Sequence, residues 1–381
     1  MIRSLMRTYA ILSKEFTQLR RDTVTFSLIT AMPIVQLLMF GYAINMDPRH
    51  LPAAVYASDH SSVANAVVSA MEHTNYVDIR YLPQSEAEMD QLLRRGKVML
   101  GLTIPPDFTQ RVLKGDHAQV LAEIDASDPT AAAGAVVAVS TLPVATLDQA
   151  TLGPVAGAGA PARGPPFEVV VHKLYNPESI STYNIVPGML GIVLTITLVM
   201  MTAMSVTREH ERGTMETLLS TPATPLEIMV GKLTPYVIMG LLQTVLFLVL
   251  ARLLFHIPLP QIAAGWVALG VGMMLFVLAN LGLGYLISTL AGNQLQATQM
   301  TLFYMLFPIF LSGFAFPYYG LPPWARVISN FTPVTHFLRI LRGALLKQQV
   351  LADMGPSLLA LGLYVVVVAT LSLARSRTTL D

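Results

Sequence analysis

Long uninterrupted apolar runs constrain this chain more than any other feature of its sequence. An α-helix rises about 1.5 Å per residue, so about 20 apolar residues cross the hydrocarbon core of a bilayer. Hydrophobic residues make up 53% of the chain and charged residues 12%, whereas soluble domains carry about a quarter charged residues. The sequence therefore predicts a polytopic α-helical membrane protein. Six transmembrane helices are predicted, at 23–44, 185–206, 233–255, 262–290, 297–316 and 356–374.

The N-terminal residues 1–22 have an amphipathic pattern rather than a spanning one. Apolar residues recur at steps of three and four, and basic residues occupy other positions: Arg3, Arg7, Lys14, Arg20 and Arg21. This pattern is typical of a helix that lies on an anionic membrane surface, although a helix packed on protein has the same period. Basic residues before a first span place the N-terminus in the cytosol. Six spans then place both termini on that side.

Residues 45–184 have the composition of a folded domain between the first two spans. Short β-type runs alternate with helical ones, which predicts an inserted α/β domain with a largely parallel sheet. Because the domain follows the first span, we expect it to be extracytoplasmic. Strands are expected at 53–56, 77–81, 98–104, 120–124 and 167–174, and helices at 62–72, 85–95, 107–114 and 131–142. A linker rich in Gly, Ala and Pro is predicted at 152–166.

One segment conflicts with the tendency of basic residues to lie on the cytoplasmic side. Residues 317–355 fall on the outer side in a six-span topology. They nevertheless contain four basic residues: Arg326, Arg339, Arg342 and Lys347. Prolines interrupt the segment, and leucines and an isoleucine between 338 and 345 are interleaved with the arginines. This pattern favours a helix that enters the outer membrane interface and returns.

A charged segment at 207–231, which we call the elbow, separates the second and third spans. No stop signal follows Val206, so the second helix is predicted to continue beyond the membrane until Gly213 allows a break. Thr224-Pro-Leu-Glu227 has the pattern of a capping box that begins the next helix. The elbow is either a solvated loop whose charges keep it out of the lipid or a surface that binds a cytosolic protein. The candidate docking residues are Arg208, Glu209, Glu211, Arg212, Gly213, Thr214, Glu216 and Leu218.

A longer motif favours the docking interpretation. The string Arg208-x-x-Glu211-Arg212-Gly213-Thr214-x-Glu216-x-Leu218, followed by Thr221-Pro222, closely resembles the cytoplasmic elbow of type-2 ABC exporter permeases. In that family the segment is called the coupling helix, and it docks on the ATP-binding subunit. The resemblance implies an exporter of hydrophobic or drug-like compounds in the bacterial inner membrane. It also implies a re-entrant pair of outer helices at 317–355.

The same resemblance implies the partners of the chain. Six spans make half of a translocation path, so a dimer with itself or with a similar permease is expected. Two copies of an ATP-binding subunit are expected to bind that dimer, and some members of the family also use a periplasmic adaptor. ATP and Mg are expected on the ATP-binding subunit, and no cofactor is expected on this chain.

The sequence contains no recognisable catalytic motif. It has no phosphate-binding Gly-x-x-x-x-Gly-Lys-Ser/Thr string, no His-Glu-x-x-His and no cysteine, so we expect neither intrinsic catalysis nor a metal site. The basic residues lie near membrane ends rather than in one patch, which argues against a nucleic-acid partner.

The predicted spans carry polar residues but essentially no charge at their centres, which argues against an ion-coupled carrier. Candidates for the translocation path are Gln36, Gln243, Asn280 and Gln299, although such residues more often form bonds between helices. The alternative function is a non-transporting scaffold or sensor whose outer domain binds an envelope partner.

Overall fold

The computed structural model describes residues 49–74, 76–143, 167–211 and 225–375. The predicted amphipathic helix at 1–22, the first span at 23–44 and the linker at 152–166 lie outside these ranges. The greater part of the elbow lies outside them as well. The described ranges form a five-stranded sheet with covering helices, followed by a bundle of long helices.

The sheet has the strand order β2-β1-β3-β4-β5. The strands are β1 (Leu51–Ala57), β2 (Val77–Tyr81), β3 (Leu100–Ile104), β4 (Gln119–Asp125) and β5 (Glu168–Leu174). Strand β1 is parallel to β2 and β3, and β4 is parallel to β5, but β3 and β4 are antiparallel. The sheet is therefore largely but not wholly parallel.

Four helices cover the two faces of this sheet: α1 (Ser62–His73), α2 (Glu86–Arg94), α3 (Phe108–Lys114) and α4 (Pro129–Ser140). Buried residues of α1, α3 and α4 pack on one face, whereas α2 packs on the other. Side chains that accept hydrogen bonds from the first helical turn fix three of the helix starts: Ser61, Ser85 and Asp128. The bounds of these strands and helices differ from the predicted ones by at most two residues.

The remaining long helices are α5 (Thr182–Glu211), α6 (Pro225–Phe255), α7 (Ala263–Leu290), α8 (Gln294–Leu311) and α11 (Gly355–Arg375). Within the described ranges, four stretches are long and apolar enough to cross a membrane: Thr182–Glu209, Lys232–Phe255, Ala263–Leu290 and Gly355–Arg375. The chain is therefore a helical membrane protein, with about four apolar spans among the described residues, and the count of six stays a prediction.

Helix α8 differs from the span predicted at 297–316. Three glutamines in its first two turns lower its apolar character: Gln294, Gln296 and Gln299. The helix has 18 residues, which corresponds to about 27 Å. It ends at Leu311, and Gly313 soon after it has a φ of +83° that glycine adopts without strain. The predicted last five residues of this span therefore lie outside the helix.

The bundle has two ends, which we name by what lies there. The domain end is where α5 begins after β5, and the elbow end is where α5 reaches Glu211. With 30 residues, α5 separates these ends by about 45 Å. Helix α7 begins at the domain end, where the backbone N–H of Gln261 donates to Oε1 of Gln348 at 2.8 Å. Successive long helices thus run in alternating directions.

Helix α7 lies at the centre of the bundle because its glycines allow three neighbours to approach closely. A Cβ atom added at Gly284 would lie 2.6 Å from the carbonyl oxygen of Val199 in α5. One at Gly272 would lie 2.7 Å from Ile340, and one at Gly282 would lie 3.1 Å from Val368 in α11. The glycines of this helix therefore make close contacts on more than one of its sides.

Two shorter helices, α9 (Pro323–Asn330) and α10 (Pro333–Leu345), connect α8 to α11 at the domain end. The apolar residues interleaved with the arginines of α10 are all buried: Leu338, Ile340, Leu341 and Leu345. They belong to the same core as α5 and α7. Helix α10 therefore has one buried apolar face and one polar face that carries the arginines.

Candidate functional site

The candidate site is the elbow end of the bundle. Helix α5 continues past Val206 to Glu211, as the sequence predicts. Oε1 of Glu211 accepts a hydrogen bond from the backbone N–H of Gln294 at 2.9 Å, and Oε2 accepts one from the Gln294 side-chain amide. Gln294 is the first residue of α8. The carboxylate therefore lies at a helix N-terminus, where unpaired N–H groups and the helix dipole stabilise an anion.

Two further contacts join the end of α5 to its neighbours. Glu209 forms an ion pair with Lys232 of α6. Nε of Arg208 lies 3.4 Å from Oε1 of Gln294. Each of these three elbow residues therefore links α5 to the start of α6 or of α8.

The sequence before α8 fixes the position of Gln294. The Asn293 side chain accepts a hydrogen bond from the N–H of Gln296 at 2.8 Å, and Oε1 of Gln296 accepts one from the N–H of Gly292 at the same distance. This reciprocal arrangement caps the helix in the manner of a capping box. It also sets the first turn of α8 beside the Glu211 carboxylate.

Comparison with known proteins adds the family. A family model described as ABC-2 family transporter protein matches residues 23–374, which is well over half of the chain. The chain belongs to the ABC-2 transporter family.

Three bacterial relatives in Escherichia coli K12 match over nearly their full length. "Probable multidrug ABC transporter permease YbhS" is 29% identical over 353 residues, which cover 91% of this chain and 90% of the relative. "Probable multidrug ABC transporter permease YbhR" is 26% identical over 342 residues, which cover 90% of each. "Inner membrane transport permease YhhJ" is 24% identical over 370 residues, covering 93% of this chain and 95% of the relative.

As an ABC-2 family member, the chain is a multi-pass membrane permease component and not an enzyme by itself. ABC-2 permeases work with an ATP-binding subunit, so such a partner is implied here too. The predicted type-2 ABC permease identity is thereby confirmed. The ATPase-docking role of individual elbow residues stays a prediction.

Of the predicted docking residues of this ABC-2 chain, Arg208, Glu209 and Glu211 lie in the described ranges and come together at the elbow end. The other five lie outside those ranges: Arg212, Gly213, Thr214, Glu216 and Leu218. Sequence reasoning missed Gln294 and Lys232 as the partners of these residues. The capping pattern Asn293-x-x-Gln296 could have located the start of α8 from the sequence. No local pattern, however, pairs Gln294 with Glu211.

Three of the four predicted polar residues of the translocation path lie on three different helices of the described ranges, Gln243 on α6, Asn280 on α7 and Gln299 on α8. Gln36 lies outside the described ranges. Nε2 of Gln243 lies 3.5 Å from Oγ1 of Thr197, which joins α6 to α5. Nδ2 of Asn280 donates to the carbonyl of Phe276 within its own helix at 2.8 Å. Within the described part of the chain, no hydrogen bond joins any two of Gln243, Asn280 and Gln299.

Because Glu211 and Gln294 act through one contact, we expect substitutions of the two residues to have non-additive effects on activity. Glu211→Ala is expected to lower the ATPase activity of the assembled complex a few-fold, because it removes both hydrogen bonds between α5 and the first residue of α8, at a cost of about 1 kcal/mol. Gln294→Ala should have a smaller effect, since the backbone N–H of residue 294 still donates to Glu211. Gln294→Ala added to Glu211→Ala should have almost no further effect. The matched control is Gln119→Ala, which removes a similar amide–carboxylate bond to Glu168 in the sheet. Fully additive effects would contradict the anchoring role of Glu211.

Proposed function

We propose that this chain is the transmembrane subunit of an ATP-driven exporter that moves a hydrophobic or drug-like compound out of the cytoplasm or inner leaflet. The ABC-2 family supports the permease role, and the two relatives named multidrug permeases support the class of compound. In this proposal ATP and Mg bind to the separate ATP-binding subunit, and this chain binds no cofactor. The elbow, including its residues beyond Glu211, is the surface that docks on that subunit.

The linkage at the elbow end is the observation that most supports this mechanism. Glu211 is bonded to the start of α8, and Glu209 is paired with Lys232 of α6. When the ATP-binding subunits close, they would push the elbow, and these contacts would carry the displacement into two further helices. Gly213 would provide the break between the long helix and the docking helix.

The proposed assembly follows from the same mechanism. The chain would have six spans with both termini in the cytoplasm, the α/β domain outside the inner membrane, and α9 and α10 as re-entrant outer helices. Two permeases, identical or similar, would form the translocation path at their seam and bind two ATP-binding subunits. A periplasmic adaptor would contact the outer domain. The long helices α5 to α8 and α11, which run in alternating directions along the chain, support this layout.

Gly213→Leu tests the proposal in the reconstituted complex. Leucine disfavours the break, so drug-stimulated ATP hydrolysis is expected to fall to the unstimulated level, and export should be lost with it. The matched control is Gly362→Leu in α11, where an added Cβ would meet no atom within 4 Å. Wild-type stimulation in Gly213→Leu would contradict the coupling role of the elbow.

The purified chain alone is expected to hydrolyse no ATP, and the activity should appear only when the ATP-binding subunit is added. Measured turnover by the chain alone, sensitive to substitutions in it, would contradict this division of labour. The scaffold or sensor alternative instead requires an assembled complex whose ATP hydrolysis does not respond to any exported compound.

A further inference from the structure

A cavity of about 540 Å³ lies between the α/β domain and the outer helices α9 and α10. This volume falls within the range of about 300–1,000 Å³ that is common for small-molecule sites. Its lining carries six basic and three acidic side chains. They are Arg80, Arg95, Arg326, Arg339, Arg342 and Lys347, with Asp125, Asp128 and Asp353. The cavity therefore has a formal excess of three positive charges.

The acidic side chains of the cavity are already engaged. Asp125 pairs with Lys347, and Asp353 accepts a hydrogen bond from Nε of Arg95 at 2.9 Å. Oδ1 of Asp128 caps α4 by accepting from the backbone N–H of Thr130 at 3.1 Å. Burial raises the pKa of Asp128, partly opposed by the positive charge of Arg342. Asp128 therefore offsets part of the charge of Arg342, and Asp78, outside the lining, pairs with Arg80 at 3.3 Å. These contacts leave the other lining arginines without a carboxylate.

Two of those arginines are held in place by neutral groups. Arg326 donates to the carbonyl oxygen of Tyr319 at 2.6 Å. Arg339 donates to Oδ1 of Asn330 at 3.2 Å, and its guanidinium lies 4.6 Å from the centre of the Tyr318 ring. In the part of the chain that the structure describes, neither forms an ion pair with a carboxylate. Their orientation is fixed while their charge stays uncompensated.

Arg342 adds an unsatisfied donor to the same lining. One terminal nitrogen donates to the carbonyl oxygen of Gly313 at 2.7 Å. Its Nε is buried and has no hydrogen-bond partner among the described residues. Because it is buried, this Nε does not itself contact the cavity. It leaves the Arg342 guanidinium incompletely hydrogen-bonded, which is rare for a buried donor.

We propose that this cavity binds a phosphate-bearing molecule with an apolar part, whose phosphate contacts Arg326, Arg339 and Arg342. Guanidinium groups present planar pairs of N–H donors that match the oxygens of phosphate. Tyr318 and Tyr319 in the lining provide apolar surface beside the basic group. The source of the phosphate is either the head group of an anionic phospholipid or a soluble organic phosphate. The proposal goes beyond the transport function and does not depend on it.

Binding to the full-length chain in detergent tests this site with two probes. Phosphatidylglycerol represents the lipid source and glycerol 3-phosphate the soluble one, with net-neutral phosphatidylcholine as the comparison lipid. Native mass spectrometry counts retained lipid, and calorimetry measures the soluble ligand. We expect one of the two anionic probes to bind with a stoichiometry of one per chain. Which of them binds identifies the source, and either result supports the site.

Arg326→Gln and Arg339→Gln test the residues. Their combination is expected to weaken binding of that probe at least about tenfold, because charge-assisted hydrogen bonds are lost. The matched control is Arg111→Gln, since Arg111 is exposed in the same chain and lies outside the cavity lining. Unchanged gel-filtration profiles and unfolding temperatures show that the variants fold. If neither anionic probe binds better than phosphatidylcholine, or if the control weakens binding equally, the proposal is wrong.

Discussion

Adding a single methyl group at Gly284 is expected to destabilise the helix bundle strongly. The added Cβ would lie 2.6 Å from the backbone carbonyl oxygen of Val199 and 2.9 Å from Cβ of Thr202. Neither atom belongs to a flexible side-chain end, so only a shift of α5 away from α7 would relieve the overlap. Overpacking of this kind costs about 1–3 kcal/mol. Gly284→Ala should therefore lower the unfolding temperature of the purified chain in detergent, and Gly284→Leu should prevent a monodisperse preparation.

Gly270→Ala is the matched control for this effect because it lies in the same helix. An added Cβ at Gly270 would meet no atom within 4 Å. Alanine favours the helix over glycine by up to about 1 kcal/mol, so the control should be neutral or slightly stabilising. Equal loss of stability in both variants would show that the close approach of α5 to α7 is not what Gly284 provides.

The sequence predicted the local elements of the α/β domain well because their signals are local. Period, helix caps and turn residues set the ends of α1 and α2 within a few positions along the chain. The antiparallel direction of β4 was not predictable in this way. A short helix connects β3 to β4, and nothing in its length or composition states in which direction the next strand must run.

The long-range partners of the site were likewise beyond local patterns. The extension of α5 to Glu211 and the start of α6 at Pro225 follow from nearby residues. The partner of Glu211 lies 83 positions later in the chain.

The basic residues of 317–355 were visible in the sequence as a conflict with the rule that basic residues lie on the cytoplasmic side, but their partners were not. Their cavity, and the pairing of Lys347 with Asp125, depend on how the domain packs against the helices.

The ion pair between Asp125 and Lys347 should be the most sensitive contact between the domain and the helix bundle. Asp125 is the last residue of β4, and Lys347 follows the end of α10. Their side chains are only 1% and 8% exposed. Removing one member of a buried pair leaves the other charge uncompensated at a cost of about 3–5 kcal/mol. Asp125→Asn and Lys347→Met are each expected to produce a loss of this size in the free energy of unfolding.

The double variant separates the loss of the pair from the loss of packing. Asparagine keeps an oxygen that can accept from the Ser127 N–H, as Asp125 does at 3.1 Å. With both charges gone, no buried charge is left unpaired, so Asp125→Asn with Lys347→Met should recover most of the stability of either single variant. The exposed pair of Asp90 and Arg94 is the control, and Asp90→Asn should cost at most about 1 kcal/mol. If the losses in the double variant are additive, the two residues stabilise the domain contact independently. In that case this ion pair does not determine the charge balance at the edge of the cavity.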